Sequence, residues 1–263
     1  MKHLNQYITE YIVKKKLDKF VDSEDHYKYF PKTKKELIEN IKELIKNGIY
    51  DFNCIDTSAI IDMSDLFDKI NIDINFDVSR WDVSNVEDMT NMFYNCKNFD
   101  CDLSSWDVSN VRLMLATFSR CENFKGKGLE KWNVSNVRRM SSMFSCCEKF
   151  DGKSIENWNV RSVLSTRNTF YDCKNLNCNL SNWNVSNIVD MTKMFYRCTN
   201  FEGDGIDKWD VSNVKYMDEI FSGCEKFKNN KIKNWNTINL IDGYSMFYGC
   251  TLLKNKPNLL HKK

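Results

Sequence analysis

The chain repeats itself every 25 or 26 residues, and no other feature constrains its fold as tightly. All seven tryptophans keep one register: Trp81, Trp106, Trp132, Trp158, Trp183, Trp209 and Trp235. A phenylalanine follows each tryptophan after twelve residues, from Phe93 to Phe247, and a cysteine after fifteen, from Cys96 to Cys250. Ten of the eleven methionines lie inside the same array. A degenerate eighth unit comes first, with Ile55 at the tryptophan position and Met63 and Phe67 in step. A period between about 20 and 50 residues signals stacked units, because one such unit is too small to bury its own apolar face.

The pattern within a unit predicts its local structure. Leu103, Trp106 and Val108 lie on an L-x-x-W-x-V skeleton whose last two apolar positions alternate as in a half-buried strand. The next apolar residues, Val111, Met114, Phe118, Cys121 and Phe124, step by three or four, which reads as a helical or 3-10 return. Ser84-x-x-Glu87 resembles a capping box at the start of that return. The expected fold class is therefore an α/β repeat solenoid: a parallel sheet with short helical or 3-10 returns. Most 26-residue units carry glycine before the tryptophan, as in "FKGKGLEKW", while the 25-residue units carry cysteine, as in "FDCDLSSW". A one-residue bulge on an outer loop is expected to absorb the difference.

Outside the array, residues 1–50 read as an α-helical N-terminal cap. "NQYITEYIVKKKLDKF" has helical apolar spacing, and a second stretch opens on Thr33-x-x-Glu36 and stops at Gly48. The expected organisation is a cap over 1–50, eight repeats over 51–253, and a short basic tail over 254–263.

The unit L-x-x-W-x-V-S-N-V-x-x-M-x-x-M-F-x-x-C-x-x-F resembles the BspA-like branch of the leucine-rich repeats, in particular its Trp-Asp-Val-Ser-Asn-Val subtype. The resemblance covers about Ile55 to Leu253. It implies a leucine-rich-repeat-like curved solenoid with roles in adhesion or protein recognition. Asn110 stands four residues after Trp106, displaced from the asparagine position of ordinary leucine-rich repeats.

Composition narrows the class of function. Hydrophobic residues make up 42% and charged residues 28%, which describes a folded, water-soluble chain, and a net charge of +2 gives no general case for nucleic acid or membrane. No apolar run approaches the roughly 20 residues that span a bilayer. The lysines of "MKHLNQYITEYIVKKK" follow its apolar residues, the reverse of a signal peptide, so a cytoplasmic location with reduced thiols is expected.

No chemistry stands out. Adjacent units place equivalent cysteines about 4.8 Å apart in a ladder, which has no tetrahedral metal geometry, so buried thiols and no metal are expected. The tryptophans are expected in the core rather than in an exposed stacking platform. His3, His26 and His261 all lie outside the array, and neither a phosphate loop nor a dinucleotide fingerprint occurs. The chain is expected to have no catalytic residues and no cofactor, and not to be an enzyme.

Function must then reside in the positions that vary. The residues flanking each tryptophan are polar: Arg80, Lys131 and Lys208 before it, and Asp82, Asp107, Asn133, Asn159, Asn184 and Asp210 after it. Charge is also polarised along the array. Residues 51–110 hold 13 acids against 3 bases, and residues 111–170 hold 11 bases against 5 acids. Arg138, Arg139, Arg161 and Arg167 add to this basic middle. Arg161 replaces the serine of Ser-Asn and Thr166 replaces a methionine, so their unit departs from its own template. These residues are the candidate partner-binding set of a recognition scaffold for an acidic protein, with a glycan as second ligand class. The alternative is a phage- or virus-encoded component acting inside a host, as a structural piece or an inhibitor of a host protein. A tail as short as residues 254–263 is expected to leave the last unit open, so that oligomer formation there is a further expectation.

Overall fold

The computed structural model describes residues 27–70 and 72–259, so the first expected helix, over residues 5–20, lies outside the described residues. The second is present as α1, Lys34–Lys46. Thr33 Oγ1 accepts from Glu36 N at 3.2 Å, and Glu36 Oε2 accepts from Lys32 N at 2.6 Å. The capping residues therefore act reciprocally, with the glutamate reaching one position further out than in a standard box. Gly48, at φ 72°, turns the chain out of the helix, and Ile49 N closes it on Leu44 O at 3.0 Å. Leu37, Ile41 and Leu44 are fully buried, and Lys34 Nζ bonds Asp62 Oδ2 at 2.7 Å and Ser64 O at 3.1 Å in the first repeat unit.

The array beyond α1 is not the expected parallel-sheet α/β solenoid. Among the described residues there is no β-strand and no α-helix besides α1. The units do lie on one another in register. One column of isolated parallel bridges, seven residues after each tryptophan position, runs Asp62, Asp88, Leu113, Arg139, Ser165, Asp190, Tyr216 and Asp242. This contact falls in the segment expected to be the helical return, not beside the tryptophan.

The hydrogen bonds give the reason. Met89, Asn91, Phe93 and Asn95 donate their N–H groups to Leu113, Leu115, Thr117 and Ser119 of the next unit, at 2.8–2.9 Å. Those donors are then lost to an i→i−4 helical ladder. The intervening N–H groups close i→i−3 turns: Met92 on Met89 at 3.1 Å, Cys96 on Phe93 at 3.0 Å and Phe99 on Cys96 at 3.0 Å. Three-residue apolar steps thus mark successive turns. Strands fail for a related reason. Residues ten and fourteen positions after each tryptophan are left-handed, as with Asn91 (φ 54°), Ala116 (50°), Arg120 (63°) and Cys146 (60°). A left-handed residue every few positions interrupts extended backbone and leaves each bridge isolated.

The 3-10 turns also sit elsewhere than expected. They occupy Leu129–Lys131, Lys153–Ile155, Ile206–Lys208 and Asn230–Asn234, immediately before a tryptophan or one turn ahead of it. The tryptophans they precede, Trp132, Trp158, Trp209 and Trp235, each close a 26-residue interval. Trp106 and Trp183 close 25-residue intervals, and no 3-10 turn precedes them. In these four units the extra residue is taken up within the 3-10 turn, where Gly128 adopts φ 91°; the 26-residue interval from Ile55 to Trp81 has no such turn among the described residues.

The core is a set of continuous columns. Phe67, Phe93, Phe118, Phe144, Phe170, Phe195, Phe221 and Phe247 stack at centroid spacings of 5.3 to 5.8 Å. A second ring, six residues further along, backs most of them, as Phe99 backs Phe93 at 4.2 Å. All seven tryptophans are buried, and the indoles of Trp106, Trp132 and Trp158 stack at 6.2 Å.

Candidate functional site

Most recurring polar side-chain atoms of the unit have a structural partner. The indole Nε1 of each tryptophan donates to a carbonyl of the preceding unit, for example Trp132 to Leu103 O at 3.1 Å and Trp158 to Leu129 O at 2.8 Å. The thiols of Cys121, Cys147, Cys173, Cys198, Cys224 and Cys250 donate to the phenylalanine carbonyl one unit back, at 2.8–3.1 Å. All eleven cysteines are free, and only Cys146 is more than marginally exposed. No group of three or more His, Cys, Asp or Glu among the described residues could hold a metal ion.

Burial raises the thiol pKa values. It pushes Cys96 and Cys101 up to about 12 and Cys250 to about 11, and drives the fully buried thiols of Cys121, Cys147, Cys173, Cys198 and Cys224 well above the ordinary value. A folded pKa above the unfolded one gives stability that is complete below about pH 8.5 and lost as pH rises toward the folded values. The thermal midpoint should hold up to about pH 8.5 and fall steeply between there and pH 11. In native buffer, Ellman's reagent should report fast reaction at Cys146 alone, with the others reacting on unfolding. Rapid native reaction of several thiols would contradict the buried ladder.

The polar residues that follow tryptophan serve the backbone. Asp82, Asp107 and Asp210 accept from Ser84, Ser109 and Ser212 N at 2.9–3.0 Å; Asn133, Asn159 and Asn184 accept from Ser135, Arg161 and Ser186 N at 3.1–3.3 Å. These are Asx turns. The Ser109 side chain and amide hold Asp107 below the usual carboxylate range, and Ser212 does the same for Asp210. Local turn formation thus accounts for the Asp/Asn choice at this position, although the side chains remain exposed.

The displaced asparagine forms a ladder of its own. Asn85, Asn110, Asn136, Asn187, Asn213 and Asn239 donate Nδ2 to the carbonyl of Ser58, Ser84, Ser109, Arg161, Ser186 and Ser212 one unit back, at 2.7–2.8 Å. One unit breaks the series. Ser162 stands where asparagine is due, so Ser135 O receives no amide. A notch of about 280 Å³ lies at this break, lined by Asn110, Arg112, Asn136, Arg138 and Ser162.

The cationic candidates divide. Lys131 and Lys208 end 3-10 turns beside the buried tryptophans, and Arg80 N donates to Asn53 Oδ1 at 2.7 Å on that same flank. Arg138, Arg139 and Arg167 belong instead to the bridged side, six, seven and nine positions past tryptophan, with Arg161 between the two groups. Ion pairs across units neutralise part of the basic middle: Arg112 with Glu87 at 3.7 Å, Lys127 with Asp102 at 2.8 Å, Arg167 with Asp190 at 3.8 Å, and Lys125 with Asp100. The guanidinium groups of Arg138, Arg139 and Arg161 are exposed and have no ion-pair partner among the described residues. Thr166, at its methionine position, buries a hydroxyl without a partner. Arg112 and Ser162 do not stand out as site residues in the sequence. Ser162 carries a readable signal all the same, as the residue that interrupts a recurring asparagine.

At the far end, Leu259 is buried and its carbonyl accepts from Thr237 Oγ1 at 2.7 Å, so the tail folds back over part of the last unit. Tyr244 and Tyr248 there remain 75% exposed, beside exposed Ile238, Ile241 and Leu252. No described helix is long and apolar enough to cross a membrane.

A family model described as "Mycoplasma protein of unknown function, DUF285" matches the chain three times, over residues 33–153, 114–205 and 169–259. No curated protein and no solved structure matches.

Proposed function

The chain belongs to the DUF285 family, and from that starting point we propose that it is a non-enzymatic recognition scaffold for an acidic protein partner. The observation that carries this reading is the group of exposed arginines Arg138, Arg139 and Arg161, which have no ion-pair partner among the described residues while Arg112, Lys127 and Arg167 are matched across units. Arg120, Lys131 and Lys149 in the same stretch have no ion-pair partner among the described residues either. Guanidinium groups held on a regular array suit planar, bidentate contact with carboxylates. Kinship with BspA-like Trp-Asp-Val-Ser-Asn-Val repeats is part of the proposal. It rests on the recurring tryptophan, Ser-Asn, methionine, phenylalanine and cysteine register.

The test is capture from a lysate with wild-type protein and with the triple variant Arg138→Ser, Arg139→Ser, Arg161→Ser. All three side chains are exposed, so the thermal midpoint should move by no more than about 2 °C. Affinity for the captured acidic protein should fall about ten-fold or more, with a shallower salt dependence. Undiminished binding by a folded triple variant would refute the docking face.

A further inference from the structure

The broken rung of the asparagine ladder has a consequence beyond surface charge. Six units close this position with an amide donated to the preceding unit, and Ser162 alone leaves it open within the run from Asn85 to Asn239. The notch that results has no acidic residue in its lining, yet it is lined by two arginines. Arg112 is paired with Glu87 at 3.7 Å, a residue outside the notch lining, and Arg138 has no ion-pair partner among the described residues. One paired and one unpaired guanidinium around a recess with no carboxylate in its lining, with a hydroxyl and an amide beside them, form a site for an anion. At about 30 Å³ per water molecule, the volume of about 280 Å³ admits a side-chain carboxylate with its methylene stem.

We propose that the notch between Arg112, Arg138, Asn136 and Ser162 is a receptor site for a single aspartate or glutamate side chain of the partner. The proposal rests on the recognition reading above and names the point of the basic middle where a partner's residue is gripped. A carboxylate seated there accepts from both guanidinium groups and from the Ser162 hydroxyl. In the flanking units the corresponding position is taken by an asparagine that donates to the unit before it.

Ser162→Asn is the decisive variant, since it installs the residue that the fold uses at this position elsewhere. It should close the notch, supply the missing amide to Ser135 O and raise the thermal midpoint. With fluorescein-labelled hexaglutamate as probe, anisotropy at low salt should show binding to the wild type. Binding should weaken at least about ten-fold in Ser162→Asn and in Arg138→Gln, and Lys231→Gln, exposed and outside the notch, should leave it unchanged. Equal binding by wild type and Ser162→Asn overturns the proposal, as does failure of the wild type to bind the peptide. Inorganic phosphate that protects Arg138 when hexaglutamate does not bind also overturns it. The lysate partner separates the two levels. Loss of capture in the triple arginine variant but not in Ser162→Asn would leave the basic docking face standing and remove the notch.

Discussion

Phe144→Ala should lower the unfolding free energy by about 3–5 kcal/mol. Phe144 is fully buried and stacks on Phe118 at 5.7 Å, Phe150 at 4.4 Å and Phe170 at 5.8 Å, with Trp158 at 6.1 Å. Removing its ring cuts contacts within the unit and with both neighbours, and the surrounding column, pinned by inter-unit backbone bonds, cannot collapse into the space. In a one-dimensional stack, the middle interface also couples the two halves. The urea transition followed by tryptophan fluorescence should therefore move to lower concentration and broaden. Phe247→Ala supplies the comparison. Phe247 is 6% exposed and meets Phe221 at 5.8 Å on one side of the stack, so its loss should be smaller and leave the transition sharp. Equal losses from the two variants would show that the column does not transmit stability along the array.

Gly128→Ala should be comparably damaging, by about 3 kcal/mol or more, through a different mechanism. Gly128 sits at φ 91°, and a Cβ built there meets backbone: Leu103 C and Ser104 Cα lie at 2.7 Å, with Ser104 N closer still. Side chains rotate away from such contacts, whereas backbone held between stacked units does not. Gly48 provides the control, because it has φ 72° but nothing within 4 Å of an added Cβ. Gly48→Ala should therefore cost about 1 kcal/mol, from backbone strain alone. Chemical denaturation of the two variants separates strain from collision. Similar losses would mean that the units slide apart easily, contrary to the ladder of inter-unit bonds.

Much of the core was legible in the sequence, and the backbone that carries it was not. The register of Trp81 through Trp235 identified the buried column, and Thr33-x-x-Glu36 marked the start of α1. Secondary structure failed at Val111, Met114 and Phe118, because apolar steps of three are common to one face of a helix and to a run of turns. The deciding quantity is where N–H groups such as those of Met89 and Asn91 find their acceptors, and those acceptors lie 24 residues away. No local window contains that information. The left-handed positions were equally silent, since Asn91, Ala116, Ser142 and Lys193 share a conformation but no residue type. At the candidate site, Arg138, Arg139 and Arg161 stood out by charge. Ser162 did not, because a serine beside a conspicuous arginine only acquires meaning once the asparagines are seen to bridge units.

Apart from the open rung at Ser162, the asparagine, thiol and indole bonds join a unit to the one before it by the same set of atoms through the middle of the array. Each of these other junctions therefore presents the same lock on one side and the same key on the other. Such a chain changes its length in quanta: a duplication or loss of one whole unit in the interior creates no new type of contact and leaves α1 seated on the same neighbour. Point changes within a unit must satisfy two junctions at once, so gain or loss of a whole unit disturbs the fold less than many single substitutions do.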